Sequence, residues 1–424
     1  MKNLGAIILL FIANSISTIA QGISMIAIPW YFVANEMFPT YTKWFILVNI
    51  LLIFWVPYSG ILIDKYDRRK IFMVVNLISG CIVLGIAALG FQHGGLAWYW
   101  IAAVFAITFL NYSIHYPNLY AFVQEITEPR MYNRITSWLE IQGQASSMLA
   151  GAAAAILLVG TQKGEVKIFG SEINIPFSIE AWPIEKIFLL DGITYLVSLL
   201  IISLISYVSL KRARIESGGI YKRLQSGINY FKKYPEVFVF GIASYCLFVT
   251  VILEGFLLGA KYVEAHMMGE ADMYALSDMF YAVGALLSGA TVVYVFKRMT
   301  KPSGIIILTL ATAGLFFVLF STKDVAIFYG MLFVLGLTNA GSRILRTTTL
   351  FEIIPNDVFG RAVSIFNIAN IIFRICFIGI FTIAFFDRSN NIIYAFLICS
   401  IFLVGAAIAL MFNKTKVLNT NSSS

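Results

Sequence analysis

The chain carries little charge and little that could serve a soluble catalyst. Of its 424 residues only 12% are Asp, Glu, Lys or Arg, about half the share usual in soluble domains. There are 3 histidines and 4 cysteines, and Cys81, Cys246, Cys376 and Cys399 stand far apart in apolar segments. That spacing argues against a disulfide framework or a cysteine–histidine metal centre, so no metal and no cofactor is expected. No G-x-x-x-x-G-K-[ST] phosphate loop is present, so direct ATP drive from this chain is not expected. No nucleophile-and-base set falls in a soluble domain, and neither an enzyme nor a catalytic residue is assigned. Met1-Lys2-Asn3 is too short and weakly charged for the start of a signal peptide. The apolar stretch behind it runs past Val33 and reads as an uncleaved first span.

What fills the chain is apolar: 59% of residues are hydrophobic. Twelve segments have the length a helix needs to cross about 30 Å of hydrocarbon. Their approximate limits are 4–34, 43–63, 71–91, 97–124, 134–160, 187–210, 235–260, 272–296, 303–321, 324–350, 357–386 and 392–412. Backbone groups in lipid must be satisfied within each segment, so an all-α membrane protein is expected. With the N-terminus inside, 22 Lys and Arg fall on the inner side, Arg343, Arg346 and Arg361 among them, and 7 on the outer side; Arg374 lies within a span. That bias predicts a multi-pass protein of a bacterial-type plasma (inner) membrane with both termini cytoplasmic. The net charge of +8 is accounted for by inner loops facing anionic headgroups and calls for no nucleic acid.

Two loops stand out. Residues 211–234 form a long inner linker in which Ile220, Leu224, Ile228 and Phe231 recur at helical spacing beside Lys222, Arg223, Lys232 and Lys233. This predicts a short amphipathic helix on the inner surface. It divides the chain into a bundle at 1–210, the linker, a second bundle at 235–413 and a disordered cytoplasmic tail at 414–424. The other loop, EVKIFGSEINIPFSI, alternates apolar residues around Gly170-Ser171 and predicts a small outer hairpin.

The two bundles share a pattern. Gly60 is followed eight and nine residues later by Arg68-Arg69, and Gly289 likewise by Lys297-Arg298. Glu125-Ile126 is followed by Arg134 and Ser137, and Glu352-Ile353 by Arg361 and Ser364 at identical spacings. Two matches at nearly the same offset indicate duplication of a six-helix unit. Such halves are expected to pack about a pseudo-twofold axis along the membrane normal, with a site near midplane.

Gly60-x-Leu62-x-Asp64-x-x-Asp67-Arg68-Arg69-Lys70 resembles the signature loop of the major facilitator superfamily, with its second glycine replaced by Asp67. Asp67 before basic residues is similar to the macrolide and siderophore exporter branch. Ala27 to Trp30, Pro117, Asn133, Asp191-Gly192 and Gly360-Arg361 look like that branch too. The resemblance implies a fold of twelve transmembrane helices in two pseudo-symmetric six-helix bundles. It also implies gate roles for Gly60, Asp64, Arg68, Arg69, Arg134 and Arg361, Asp64 latching the inner face against a helix N-terminus near Pro355 to Arg361. The chain departs from the pattern where exporters carry charge: span one reads Ala20-Gln21, Asn111 stands where span four often has Arg, and the Gly-Pro of span five is Ala150-Gly151.

Ionisable groups inside spans cost several kcal/mol unless paired or hydrated, and so mark pathways. Ser364, Asn367, Asn370 and Arg374 share one helical face; Ser137, Glu140, Gln144 and Ser147 form the matching stripe of span five. Candidates for a solute or proton pathway are Gln21, His115, Glu140, Gln144, Glu254, Asp278, Asn367, Asn370 and Arg374. Glu254 and Asp278 are expected at similar depth, either one a partner for Arg374. Asp191 reads as a cap at a helix start, and His115 as a titratable or a packing residue. The expected activity is proton-coupled efflux of amphipathic organic solutes by a monomer, with membrane lipids as its surroundings. A lysophospholipid or metabolite facilitator, and a non-transporting scaffold or sensor, remain as alternatives.

Overall fold

The computed structural model describes residues 3–161, 165–168, 171–174, 178–207, 220–388 and 390–420. The helices are α1 (Leu4–Ala34), α2 (Phe38–Lys65), α3 (Arg68–His93), α4 (Trp98–Ile126), α5 (Tyr132–Val159) and α6 (Ile184–Ser203). After the linker come α7 (Ile220–Lys233), α8 (Pro235–Leu253), a π-turn (Glu254–Leu258) and α9 (Gly259–Ala265), the last three forming one continuous span. Then follow α10 (Ala271–Val295), α11 (Lys301–Ser321), α12 (Val325–Ile353), α13 (Asn356–Phe381), the short α14 (Ala384–Asp387) and α15 (Ile393–Thr420). Among the described residues, eleven helices are long and apolar enough to cross a membrane. The twelfth long helix, α4, falls outside that set; its polar Asn111, Tyr112, His115, Tyr116, Asn118 and Tyr120 dilute its apolar character.

The chain forms two compact units: residues 1–215 with 269–279, and residues 216–268 with 280–424. α10 therefore begins in unit 1 and ends in unit 2. Within unit 1, α1 packs on α4, α5 and α6, and α3 packs on α4 and α6. Within unit 2, α8 packs on α12, α13 and α15, and α11 packs on α12 and α15. Displaced by six spans, the two sets of neighbours are the same, as a duplicated unit requires.

Small residues set the closest approaches, as they do where apolar helices meet in an apolar solvent. In unit 1, a Cβ at Gly80 or Gly192 would press into α6 or α3 respectively, and one at Gly151 would meet the α10 backbone at Ala275 and Met279. In unit 2, Gly284 lies against the Phe333 carbonyl, and Gly336 lies against the Tyr281 carbonyl, so α10 and α12 touch backbone to backbone at two levels.

The loop after α5 forms an antiparallel pair, β1 (Glu165–Ile168) and β2 (Ser171–Asn174), with Ile168 opposite Ser171. The expected turn residue Gly170 lies outside the described residues, as do 211–219 of the linker and 421–424 of the tail. α7 forms where an amphipathic helix was expected, but the residues facing its neighbour differ. Phe231 packs on Phe366 and Phe238, and Gly227 fits against Ile365 of α13, while Ile228 is 46% exposed. The tail expected to be disordered from 414 instead continues α15 to Thr420. The seventh span runs to Ala265 rather than 260, which draws Lys261 inside; it is buried and ion-paired with Glu264 and Asp387.

Candidate functional site

The signature loop is built from the start of α3. Asp67 is the N-cap residue: its carboxylate accepts from the Lys70 amide at 3.0 Å and from the Tyr207 hydroxyl at 2.6 Å. Arg68 is ion-paired with Glu125 and also donates to the Ala121 carbonyl, both on α4. Arg69 donates to the Ile205 carbonyl at 2.6 Å, just beyond α6. These cations therefore tie three helix ends together. Gly60 and Asp64 are exposed on the last two turns of α2, and a Cβ at Gly60 would meet nothing within 4 Å. Arg134 is exposed in the first turn of α5, and Arg361 is half-buried on α13 beside Gly227. The Asn133 side chain lies outside the described set.

In unit 1 a polar chain crosses three helices. His115 Nε2 donates to Asn14 Oδ1 at 2.8 Å, and Asn14 Nδ2 donates to Gln142 Oε1 at 2.6 Å. Gln142 continues to Ser146 at 3.1 Å, and Phe72 packs edge-on to the imidazole. His115 is thus a hydrogen-bonded packing residue in this arrangement. Gln21 is buried and donates to Ser17 of its own helix at 2.6 Å, while the Tyr120 hydroxyl donates to Glu140. Gln144 is half-buried on α5.

Asp191 corrects an expectation. α6 begins at Ile184, so Asp191 sits in its third turn and caps nothing. It is fully buried beside Ser24 of α1, yet neither carboxyl oxygen nor the Ser24 hydroxyl has a hydrogen-bond partner. Tyr195, one turn on, also has an orphaned hydroxyl. The early helix start moved this carboxyl from a terminus into the core.

Of the other intramembrane charges, Arg374 and Glu254 belong to unit 2. Arg374 is 7% exposed on α13, its Nε lacks a hydrogen-bond partner, and it forms no ion pair among the described residues. Asn370, one turn before it, donates to the Tyr245 carbonyl of α8 at 3.3 Å, and Asn367 is half-buried on the same helix. Glu254 is buried at the start of the π-turn, eleven residues before Ala265. Asp278 is half-buried seven residues into α10 and belongs to unit 1. Glu254 lies further from the end of its own span than expected, because that span runs to Ala265.

Besides Lys261, sequence reasoning missed a second buried charge. Arg346, counted among the inner-side cations, is 5% exposed inside α12. Its Nη1 donates to the Ser244 carbonyl at 3.1 Å, and its guanidinium carbon lies 3.8 Å from the Tyr245 ring centre. Its position seven residues before the end of α12, deeper than a snorkelling side chain needs, was the available signal.

The description Major Facilitator Superfamily belongs to the family model that matches residues 10–375. The chain belongs to that superfamily. Among solved structures, this facilitator is similar to a bacterial homologue of the human lysosomal transporter Spinster, with TM-score 0.70 and 12% identity over 99% of this chain and 98% of that one. It is also similar to a bacterial homologue of the iron transporter ferroportin (TM-score 0.69, 14% identity, 97% and 99% covered). A D-xylose–proton symporter matches with TM-score 0.67 and 13% identity, covering 95% and 97%. No match was found among curated protein sequences. At these identities the neighbours share the fold. The fold is that of a multi-pass membrane protein with two six-helix bundles.

Proposed function

We propose that this facilitator is a proton-coupled exporter of amphipathic organic solutes, working by alternating access in a bacterial-type inner membrane with both termini cytoplasmic. The observation that carries the reading is Arg374: a buried guanidinium inside α13, seven residues from its end, with no ion-pair partner among the described residues. A buried cation without a partner is costly, and a fold keeps one where a charged or hydrated species visits. Within the same unit Ser364, Asn367 and Asn370 give α13 a polar face that leads to Arg374. Asp64 acts as the carboxylate of the inner gate. Proton transfer falls to buried carboxyls of this chain, since the charges that many exporters carry in the first and fourth spans are replaced by Gln21 and Asn111. The neighbours' cargoes differ from one another, so the choice of amphipathic solutes rests on the resemblance of the signature loop.

The test is flux in proteoliposomes with and without an imposed pH gradient, using cationic and anionic amphiphiles. Gradient-driven export of one class supports the reading. Absence of any flux across the whole panel, from protein shown to be folded, overturns it in favour of a scaffold or sensor.

A further inference from the structure

Arg374 is not alone. Arg346 approaches α8 at Ser244 and Tyr245, and Asn370 reaches the same Tyr245 carbonyl from α13. Phe366 fits over Gly241, so α8 and α13 run side by side in step: 366 beside 241, 370 beside 245. One more turn brings Arg374 level with Val249. The two arginines are therefore anchored on neighbouring faces of one unit, offset by about 6 Å along the axis at 1.5 Å per residue. Arginine side chains are long enough for both guanidinium groups to reach one small anion across that offset.

Their surroundings are short of negative charge. α8 contributes Glu236, at its inner start, and α12 contributes Glu352, which is already paired with Lys301. Glu254 stands five residues beyond Val249, and neither arginine forms an ion pair with it or with any other described carboxylate. Both Nε atoms are buried and orphaned. Arg346 is partly supported by its carbonyl and by the Tyr245 ring, a cation–π contact, but such a contact leaves its charge uncancelled. Each guanidinium is a buried charge with an unmet donor, and an anion would supply both the countercharge and the missing hydrogen bonds. Beside them Tyr245 and Phe366 pack ring to ring, 5.7 Å apart, giving an apolar wall next to a cationic pair.

We propose that Arg346 and Arg374 hold the anionic head of the transported solute, an organic carboxylate or an equivalent oxyanion, with its apolar body against Tyr245 and Phe366. This rests on the transporter reading and sharpens it: the cargo is an amphipathic anion, and a cationic amphiphile is disfavoured at this site. Guanidinium groups suit the task because their fork matches a carboxylate in two hydrogen bonds.

The test uses the purified full chain in neutral detergent, with 1-naphthoate and its neutral twin 1-naphthamide as probes and thermal unfolding as the readout. The expected result is that naphthoate stabilises the protein and naphthamide does not. Arg374→Gln should weaken naphthoate binding roughly tenfold or more, and Arg374→Lys, which keeps the charge but loses the fork, should be intermediate. If Arg374→Gln does not fold, Arg346→Gln and the naphthoate–naphthamide contrast in the unmodified protein still decide the matter. Equal shifts from both probes, no shift from naphthoate, or a naphthoate shift unaltered in both Gln variants overturns the proposal. A shift of the same size from sulfate, or from phosphatidylglycerol when naphthoate gives none, assigns the pair to a free ion or a lipid headgroup and also overturns it. Flux in proteoliposomes separates the two readings. pH-driven movement of tetraphenylphosphonium without naphthoate binding leaves a transporter whose cargo is not anionic, whereas no movement of either removes the transporter itself.

Discussion

Arg68, the first residue of α3, is ion-paired with Glu125, the penultimate residue of α4. The same relationship recurs in unit 2, where Lys301, first in α11, pairs with Glu352, penultimate in α12. Each pair closes the inner ends of the third and fourth helices of its unit. The repeated Glu-Ile in the sequence is thus the acidic half of a repeated staple, although the basic halves are not at equivalent positions.

The two staples should differ in strength. The Glu125 side chain is 3% exposed and Arg68 21%, whereas Glu352 and Lys301 are 46% and 38% exposed. Glu125→Gln leaves a half-buried guanidinium short of its partner and should destabilise by about 3 kcal/mol, at the low end for breaking a buried pair. Glu352→Gln should cost less than about 1 kcal/mol, as exposed pairs do. Unfolding of both variants in detergent checks this; equal losses would contradict the burial argument.

Gly336 and Gly284 hold α10 against α12. Gly336→Ala should force the helices apart at Tyr281 and cost about 1–3 kcal/mol, the usual penalty for overpacking. Gly330 lies on the same helix with nothing within 4 Å of a Cβ. Gly330→Ala should be neutral or slightly stabilising. Thermal midpoints of the pair give the comparison directly, and a large loss in Gly330→Ala would mean that its face is covered in solution.

Asp191 is a buried carboxyl without a hydrogen-bond partner. Burial of that kind disfavours the charged form, so Asp191→Asn, nearly the same shape, should leave stability within about 1 kcal/mol or raise it. If Asp191 takes part in proton transfer, the variant should fold normally yet lose the response of flux to pH. A marked loss of stability would instead identify a carboxylate held ionised by its neighbours.

Asp64→Asn should retain fold and insertion and lower flux. A charge-assisted contact is worth about 1.5–3 kcal/mol, enough to shift a balanced two-state equilibrium roughly tenfold. Reporter cysteines on the inner side should become more reactive in the variant. Unchanged reactivity together with unchanged flux would remove Asp64 from the gate.

The residues that betrayed the fold were those whose signal is summed along the chain. Spans, hairpin and linker helix emerge from runs of similar residues, and errors of a few positions leave them intact. Single polar groups inside spans were read less well, because a few positions decide their role. Asp191 changed from cap to core when α6 began at Ile184 rather than 187. Arg346 was counted with the inner cations because hydropathy does not distinguish a side chain reaching for headgroups from one folded over Tyr245. Arg374 was legible because its stripe of Ser364, Asn367 and Asn370 gave it a direction; its depth was overestimated, since α13 ends at Phe381 and leaves it seven residues from that end, as Arg346 is from the end of α12.

The π-turn at Glu254–Leu258 alters the phase of a whole span. An i→i+5 turn accommodates one residue more than an α-helical turn, so everything beyond Leu258 is rotated by about 100° from where an uninterrupted helix would place it. Leu257 to Val263 are all buried, so the shift in phase changes which neighbours Lys261, Tyr262 and Val263 meet, and a helical wheel drawn at one phase through 235–265 would misplace them. A relative with a straight seventh helix would align only through a one-residue gap inside its membrane span. Removing Gly255 would turn Lys261 away from Asp387 while keeping its i,i+3 pairing with Glu264, and would leave everything below Leu253 in place.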